Sequence, residues 1–243
     1  MVMNRIIKPT LILAAIAFIA SLALSHINRI TRDKIEERIL QRKEEALQRV
    51  LPVSLGYQVI AKDKKAVIDG KEFVYTVAER QDGENKLFGY AFLTTKNGYS
   101  GAVKTMVGVD HEGKIIAISI IQQSETPGLG ARSKEVPSTE TFFGHFFSNN
   151  NHVSSGTGSS STSWFEEQFA GIDTNVKIGI LKKGEWRKEN TTLASELREK
   201  NSVSAITGAT ITTKTVTDSI ESSMRLLRKA IELENNAVEE KTQ

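Results

Sequence analysis

The sequence predicts an α+β protein: an antiparallel sheet with helices packed on it, preceded by an N-terminal transmembrane helix and a helical stalk. Three observations lead there. An uncharged apolar run, TLILAAIAFIASLAL, occupies residues 10–24. Residues 56–121 alternate apolar and polar positions between turn signals, which is the period of half-buried strands. From Thr212 onward Val216, Ile220, Met224, Leu227 and Ile231 recur at helical steps, so this segment buries one face. Runs of strands followed by helices favour segregation of the two over an alternating parallel sheet.

The apolar run, extended by its flanks to Ile27, approaches the ~20 residues that a bilayer requires. Arg5 and Lys8 precede it, so a cleaved signal is the second reading and a buried soluble helix the third. Residues 1–28 are read as the anchor. Residues 29–52 continue as a charged helix whose thin apolar stripe includes Ile35, Ile39, Ala46, Leu47 and Val50, and Pro52 stops it. The basic residues Arg29, Arg32, Lys34, Arg38, Arg42 and Lys43 follow the span. Read literally, the positive-inside rule would put the large C-terminal part in the cytoplasm.

The remainder, residues 53–232, reads as one domain, closed by a polar tail at 233–243. Within it, KEFVYTVAE, QDGEN and KLFGYAFLTTK read as strand, turn and strand. Asp110-His111-Glu112-Gly113 turns a second hairpin, which leaves His111 in solvent. Residues 148–163, SNNNHVSSGTGSSSTS, form a flexible Ser/Gly-rich insertion, and His152 within it is no ligand candidate. Trp164–Phe169 restarts an amphipathic helix, and 176–187 reads as a short strand pair turned at Lys183-Gly184.

Composition narrows the chemistry. The chain has 243 residues, no cysteine and four histidines (His26, His111, His145, His152) without metal-site spacing. Thiolate nucleophiles and cysteine-ligated clusters are therefore out, and redox chemistry would need an organic cofactor. A net charge of +3 from mixed charges, without a basic tract interleaved with aromatics, gives no reason to expect nucleic-acid binding.

Three segments can carry chemistry. Ser204-Ala205-Ile206-Thr207-Gly208-Ala209-Thr210-Ile211-Thr212-Thr213 sets small residues and hydroxyls ahead of the last helix. It is read either as an anion site on a helix N-terminus or as an ordinary Thr-rich N-cap. Ser124-Glu125-Thr126-Pro127-Gly128-Leu129-Gly130 follows an apolar strand. Pro127 and Gly128 suit a type II turn, and Gly130 allows a second bend. The turn can wall a pocket with Leu129 against a flat ring and Glu125 and Thr126 as polar contacts, or it is simply structural. Glu125 has no evident partner acid for general-base work. In Asn97-Gly98-Tyr99-Ser100-Gly101, Tyr99 fits a corner or core tyrosine, with stacking on a cofactor as the other option.

The ordered set GYSGAVKTMVGVD, ETPGLGAR, SWFEEQF and TGATITTKTVTDSI resembles the FMN-binding G subunit of the Rnf ion-translocating electron-transport complex. It is also similar to the C subunit of the sodium-translocating NADH:quinone oxidoreductase. The resemblance spans roughly residues 5–230. It implies FMN joined through its phosphate to Thr210 by a flavin transferase that uses FAD and releases AMP. It implies cofactor contacts from Thr207, Gly208, Ala209, Thr212, Glu125, Thr126, Leu129 and Gly130. It also implies membrane partner subunits and a single-pass location in a bacterial or archaeal cytoplasmic membrane, with the domain on the periplasmic or extracytoplasmic side, against the charge count. A covalent tether makes sense there, because it fixes an effective concentration that dilution would otherwise remove. A free-standing flavinylated reductase and a non-redox membrane-anchored binding module are the alternatives. The chain departs from the family pattern at Ser204, where an aspartate is usual, and at Gln122-Gln123-Ser124, where a histidine is frequent.

Overall fold

The computed structural model of the protein describes residues 3–83, 85–134, 163–184 and 190–242. The Ser/Gly-rich tract read at 148–163 lies outside these residues except for Ser163. The chain divides into two compact units, Met1–Glu44 and Glu45–Gln243.

The first unit is helix. Helix α1 spans Met3–Val50 without a break between the anchor and stalk readings. Its apolar side chains from Leu11 to Ile27 are exposed all round, Leu13 to 73% and Leu24 to 71%. A helix apolar on every side with no protein cover belongs in lipid or inside a larger assembly. It is the one helix among the described residues long and apolar enough to cross a membrane.

The second unit is built on a five-stranded antiparallel meander, β1 (Tyr57–Ile68), β2 (Lys71–Asp82), β3 (Asn85–Asn97), β4 (Ala102–Val109) and β5 (Ile115–Gln122), paired in chain order. Side-chain alternation sorts the strands between two cores. Phe73, Tyr75, Phe92, Val107, Ile118 and Ile120 point to one face. There they meet Phe165, Phe169 and the buried stripe Val216, Ile220, Met224 and Leu227 of the last helix, α4 (Thr210–Thr242). Ala78, Ala91, Met106 and Ile121 point to the other face, where they bury Ala46, Leu47, Val50 and Leu51. Residues 45–52, read from sequence as stalk, thus contribute to the domain's second core. Strand β1 is the lysine-rich edge, with register shifts on both sides of Ala61, features that discourage edge-to-edge pairing.

Three segments differ from the sequence reading. Trp164–Phe169 holds only the single helical turn α2 (Trp164–Glu167), closed by a Ser163/Glu166 capping box. Strand β6 (Gly179–Leu181) pairs in parallel with β7 (Ser202–Ser204) across helix α3 (Thr191–Glu199), in place of the expected hairpin at Lys183-Gly184. Helix α4 continues to Thr242, through the segment expected to fray.

Polar ties hold α4 in place on the sheet. Thr94 donates to the Ser219 carbonyl at 3.1 Å, and Thr215 donates to the Asn97 carbonyl at 3.2 Å. Lys96 pairs with Asp218 at 2.8 Å. The Glu221 carboxylate accepts the Ile178 N–H at 2.7 Å, which joins the approach to β6 to the same helix. These bonds fix where the N-terminus of α4 comes to rest.

Candidate functional site

A cleft of about 770 Å³ opens at that N-terminus. Its volume falls within the ~300–1,000 Å³ of small-molecule sites. The nine residues singled out from sequence, Thr207, Gly208, Ala209, Thr210, Thr212, Glu125, Thr126, Leu129 and Gly130, all line it.

The floor is the turn that starts α4. Ala209 donates its N–H to the Ile206 carbonyl at 2.9 Å, and its own carbonyl accepts the Thr213 N–H at 3.2 Å. Ala209 is therefore the N-cap, and the N–H groups of Thr210, Ile211 and Thr212 have no acceptor within the helix. Alanine has no side-chain oxygen to cap them. The neighbouring hydroxyls do not substitute: Thr213 Oγ1 takes the Ile206 N–H at 3.1 Å, and Thr212 donates elsewhere. The ordinary N-cap reading of this segment is thus not realised. An uncapped helix start facing a cleft can hold an anion by its free donors and dipole. Thr210 is the first helical residue and partly exposed, and its hydroxyl has no partner among the described residues. Gly208 adopts φ +79°, and a Cβ there would lie 2.9 Å from Leu129 Cδ2, so glycine lets the turn close against the facing wall.

That wall is the 124–130 segment. Gly128 has φ +73°, and the Leu129 N–H reaches the Thr126 carbonyl at 3.2 Å, as a type II turn requires. Glu125 is only 7% exposed. Its Oε2 accepts the Thr212 hydroxyl at 2.6 Å, and its Oε1 accepts the Ser100 N–H at 3.0 Å and the Gly101 N–H at 3.4 Å. One carboxylate thereby joins the 97–101 corner, the turn and the first turn of α4. Ser100 and Thr126 share a further hydroxyl bond of 3.0 Å. Side chains at 98 or 130 would invade this junction. A Cβ on Gly98 would lie within 2.4 Å of Glu125 Oε1. A Cβ on Gly130 would lie 2.6 Å from both Glu125 Oε2 and Thr212 Oγ1.

Burial by itself raises the Glu125 carboxyl, but the Thr212 hydroxyl and the N–H groups of Ser100, Tyr99 and Gly101 outweigh it and hold the acid below its ordinary 4.5. An acid depressed on folding adds stability that is present in full above its unfolded value and is lost as pH falls through the folded one. Glu125→Gln is expected to cost about 1–2 kcal/mol at pH 7, because a charged acceptor becomes a neutral one. It should also remove much of the stability loss on going below the ordinary carboxylate value. Urea unfolding of the detergent-solubilised protein at neutral and acidic pH measures both, and equal pH dependence in the two proteins would contradict this role.

Sequence reasoning missed part of the cleft. Tyr99, for which a corner or core position is the first reading and stacking on a cofactor the other, is 75% exposed and stands at the rim. Lys182, Gly184, Ala205, Ile206 and Ile211 also line it. Lys182 arrives there through the parallel pairing of β6 with β7, which no local pattern announces. Ser204, at the end of β7, is fully buried. Its N–H and carbonyl are bridged by the Gln168 amide at 2.7 and 3.2 Å, and its hydroxyl donates to the Gly184 carbonyl. This serine ties Gly184, a cleft residue, to the end of β7.

An uncapped helix start, a partnerless threonine hydroxyl and apolar walls suit a phosphorylated ring compound. The comparison with known families agrees. The profile described as FMN-binding domain matches residues 98–225, and the chain belongs to that family. The profile described as RnfG N-terminal region matches residues 1–50.

Among relatives, the G subunit of the Na(+)-translocating ferredoxin:NAD(+) oxidoreductase complex of Acetobacterium woodii is 28% identical over 229 residues, covering 91% of each chain. The G subunit of the proton-translocating ferredoxin:NAD(+) oxidoreductase complex of Clostridium ljungdahlii is 29% identical over 221 residues, again covering 91% of each. The G subunit of the ion-translocating oxidoreductase complex of Haemophilus influenzae is 32% identical over 126 residues, 49% of this chain and 58% of that protein. A solved structure, the C subunit of the Na(+)-translocating NADH-quinone reductase from Parabacteroides distasonis, aligns with TM-score 0.45 and 18% identity, covering 80% of this chain and 92% of that one.

Proposed function

We propose that the protein is the electron-carrying G subunit of an Rnf-type ion-translocating oxidoreductase complex, with FMN held as a phosphoester on Thr210. The observation that carries the attachment is the start of α4: a helix capped by alanine, with an unpartnered threonine hydroxyl at its first position, opening into the cleft. Bound FMN supplies reversible electron transfer, for which the side chains of this cysteine-free chain offer no substitute. The protein's own part is to position and to insulate. The N–H groups of Thr210, Ile211 and Thr212 would hold the phosphate, and Leu129, Ile206 and Ile211 would exclude water from the ring. Glu125 keeps the turn and the helix start in register.

Attachment needs help, because an alcohol is a weak nucleophile at neutral pH. Thr210 Oγ1 displaces AMP from FAD on a flavin transferase. A P–O bond to threonine forms as the pyrophosphate P–O bond breaks, the hydroxyl proton passes to a base of the transferase, and no electrons change hands. Helix α1 anchors the chain in the membrane by a single pass, with the domain on the extracytoplasmic face, where a tether prevents loss of the flavin.

Intact mass and peptide mapping of the protein from its native membrane test this reading. An FMN-sized adduct on the peptide that contains Thr210 is expected, together with co-purification of integral membrane subunits. An unmodified Thr210 in native material would remove the attachment, and purification free of any membrane partner would favour a free-standing flavinylated reductase.

A further inference from the structure

The cleft holds a fixed negative charge beside the helix start. Among its described lining residues Glu125 is the one acid and Lys182 the one base. Glu125, held below its ordinary value, is ionised at neutral pH, and the groups that bond it, backbone N–H groups of the 99–101 corner and the Thr212 hydroxyl, are neutral. The cleft thus keeps a full negative charge next to the helix start that would receive a phosphate. The helix terminus offers the equivalent of only about half a positive charge. An anion placed there needs another cation.

Lys182 is placed to be that cation. It follows the last residue of β6, and the Ala205 N–H bonds the Leu181 carbonyl at 2.7 Å, so Lys182 leaves its strand alongside the loop that leads into α4. The neighbouring Lys183 is engaged elsewhere, at 3.0 Å from Glu196 on α3. Lys182 is exposed and forms no ion pair among the described residues. We infer that Lys182 is the residue that neutralises the FMN phosphate at Thr210, in a cleft whose one described acid, Glu125, would otherwise repel it. This rests on the attachment proposed above.

The test uses the full-length protein co-produced with its flavin transferase. FMN incorporation is followed by in-gel fluorescence, and the phosphoester is observed by its phosphorus-31 resonance in the loaded protein. Lys182→Met is expected to slow incorporation by about tenfold, as for loss of one charge-assisted hydrogen bond, and to move the resonance of the fraction that does load. Lys182→Arg should restore both readings, and Lys183→Met should leave both at wild-type values. Circular dichroism separates these effects from misfolding. Wild-type loading and an unmoved resonance in Lys182→Met, with FMN mapped to Thr210, would overturn the role of Lys182 and leave the attachment standing. Equal effects from Lys182→Met and Lys183→Met would overturn it as well, by reducing it to general surface charge. Wild-type protein without FMN at Thr210 would overturn both.

Discussion

Thr210→Val is expected to give a folded protein with no covalent flavin. Valine keeps the shape of threonine and removes only the hydroxyl that the ester requires. The first helical position demands no hydrogen bond from its side chain, and Thr210 Oγ1 has no partner among the described residues, so the change in stability should stay within about 0.5 kcal/mol. Fluorescence after denaturing electrophoresis should disappear while the melting temperature is unchanged. Thr212→Val is the informative contrast. Thr212 is buried and donates to Glu125 at 2.6 Å, so its loss should cost about 1–3 kcal/mol yet leave the ester in place. A fluorescent band from Thr210→Val at wild-type intensity would place the flavin on another residue.

Gly130→Ala should have the largest effect on stability. The added methyl would sit 2.6 Å from Glu125 Oε2 and 2.6 Å from Thr212 Oγ1, between two atoms that are hydrogen-bonded to each other. Neither can withdraw without loss, since Glu125 is also held by Ser100 and Gly101. Overpacking together with a broken charge-assisted bond should cost about 3–5 kcal/mol. The turn should move away from α4 and flavin loading should fall with it. Urea unfolding and in-gel fluorescence read the two effects separately. Gly98→Ala touches the same carboxylate from the other side, so the double variant should cost less than the sum of the single ones. A Gly130→Ala protein as stable as wild type would show that the junction is looser than its geometry.

The relatives differ in the ion they are named for, sodium in one and protons in another, at nearly the same identity to this chain.

Much of this architecture could be read directly from the residue pattern. Strands β2 to β5 follow from alternation and from the Asp110–Gly113 turn, because a period of two and a left-handed glycine are local properties. The buried stripe of α4 follows from spacing, and the bend at Pro127-Gly128 follows from the conformations those two residues prefer. The 204–213 segment was legible as small residues ahead of a helix, and the apolar run near the N-terminus as a membrane-length helix.

Other features depend on contacts between distant segments. Strands β6 and β7 are three residues each, too short for any period, and they pair only in the folded chain, across helix α3. Glu125 and Thr212 lie 87 positions apart, so the sequence could name both for the pocket but not their bond to each other. Two adjacent lysines, 182 and 183, look alike as letters. Strand pairing turns the first toward the cleft, and Glu196 on α3 engages the second. Local conformation is written in neighbouring residues, whereas the partner of a buried charge is decided by which surfaces the folded chain brings within hydrogen-bonding distance.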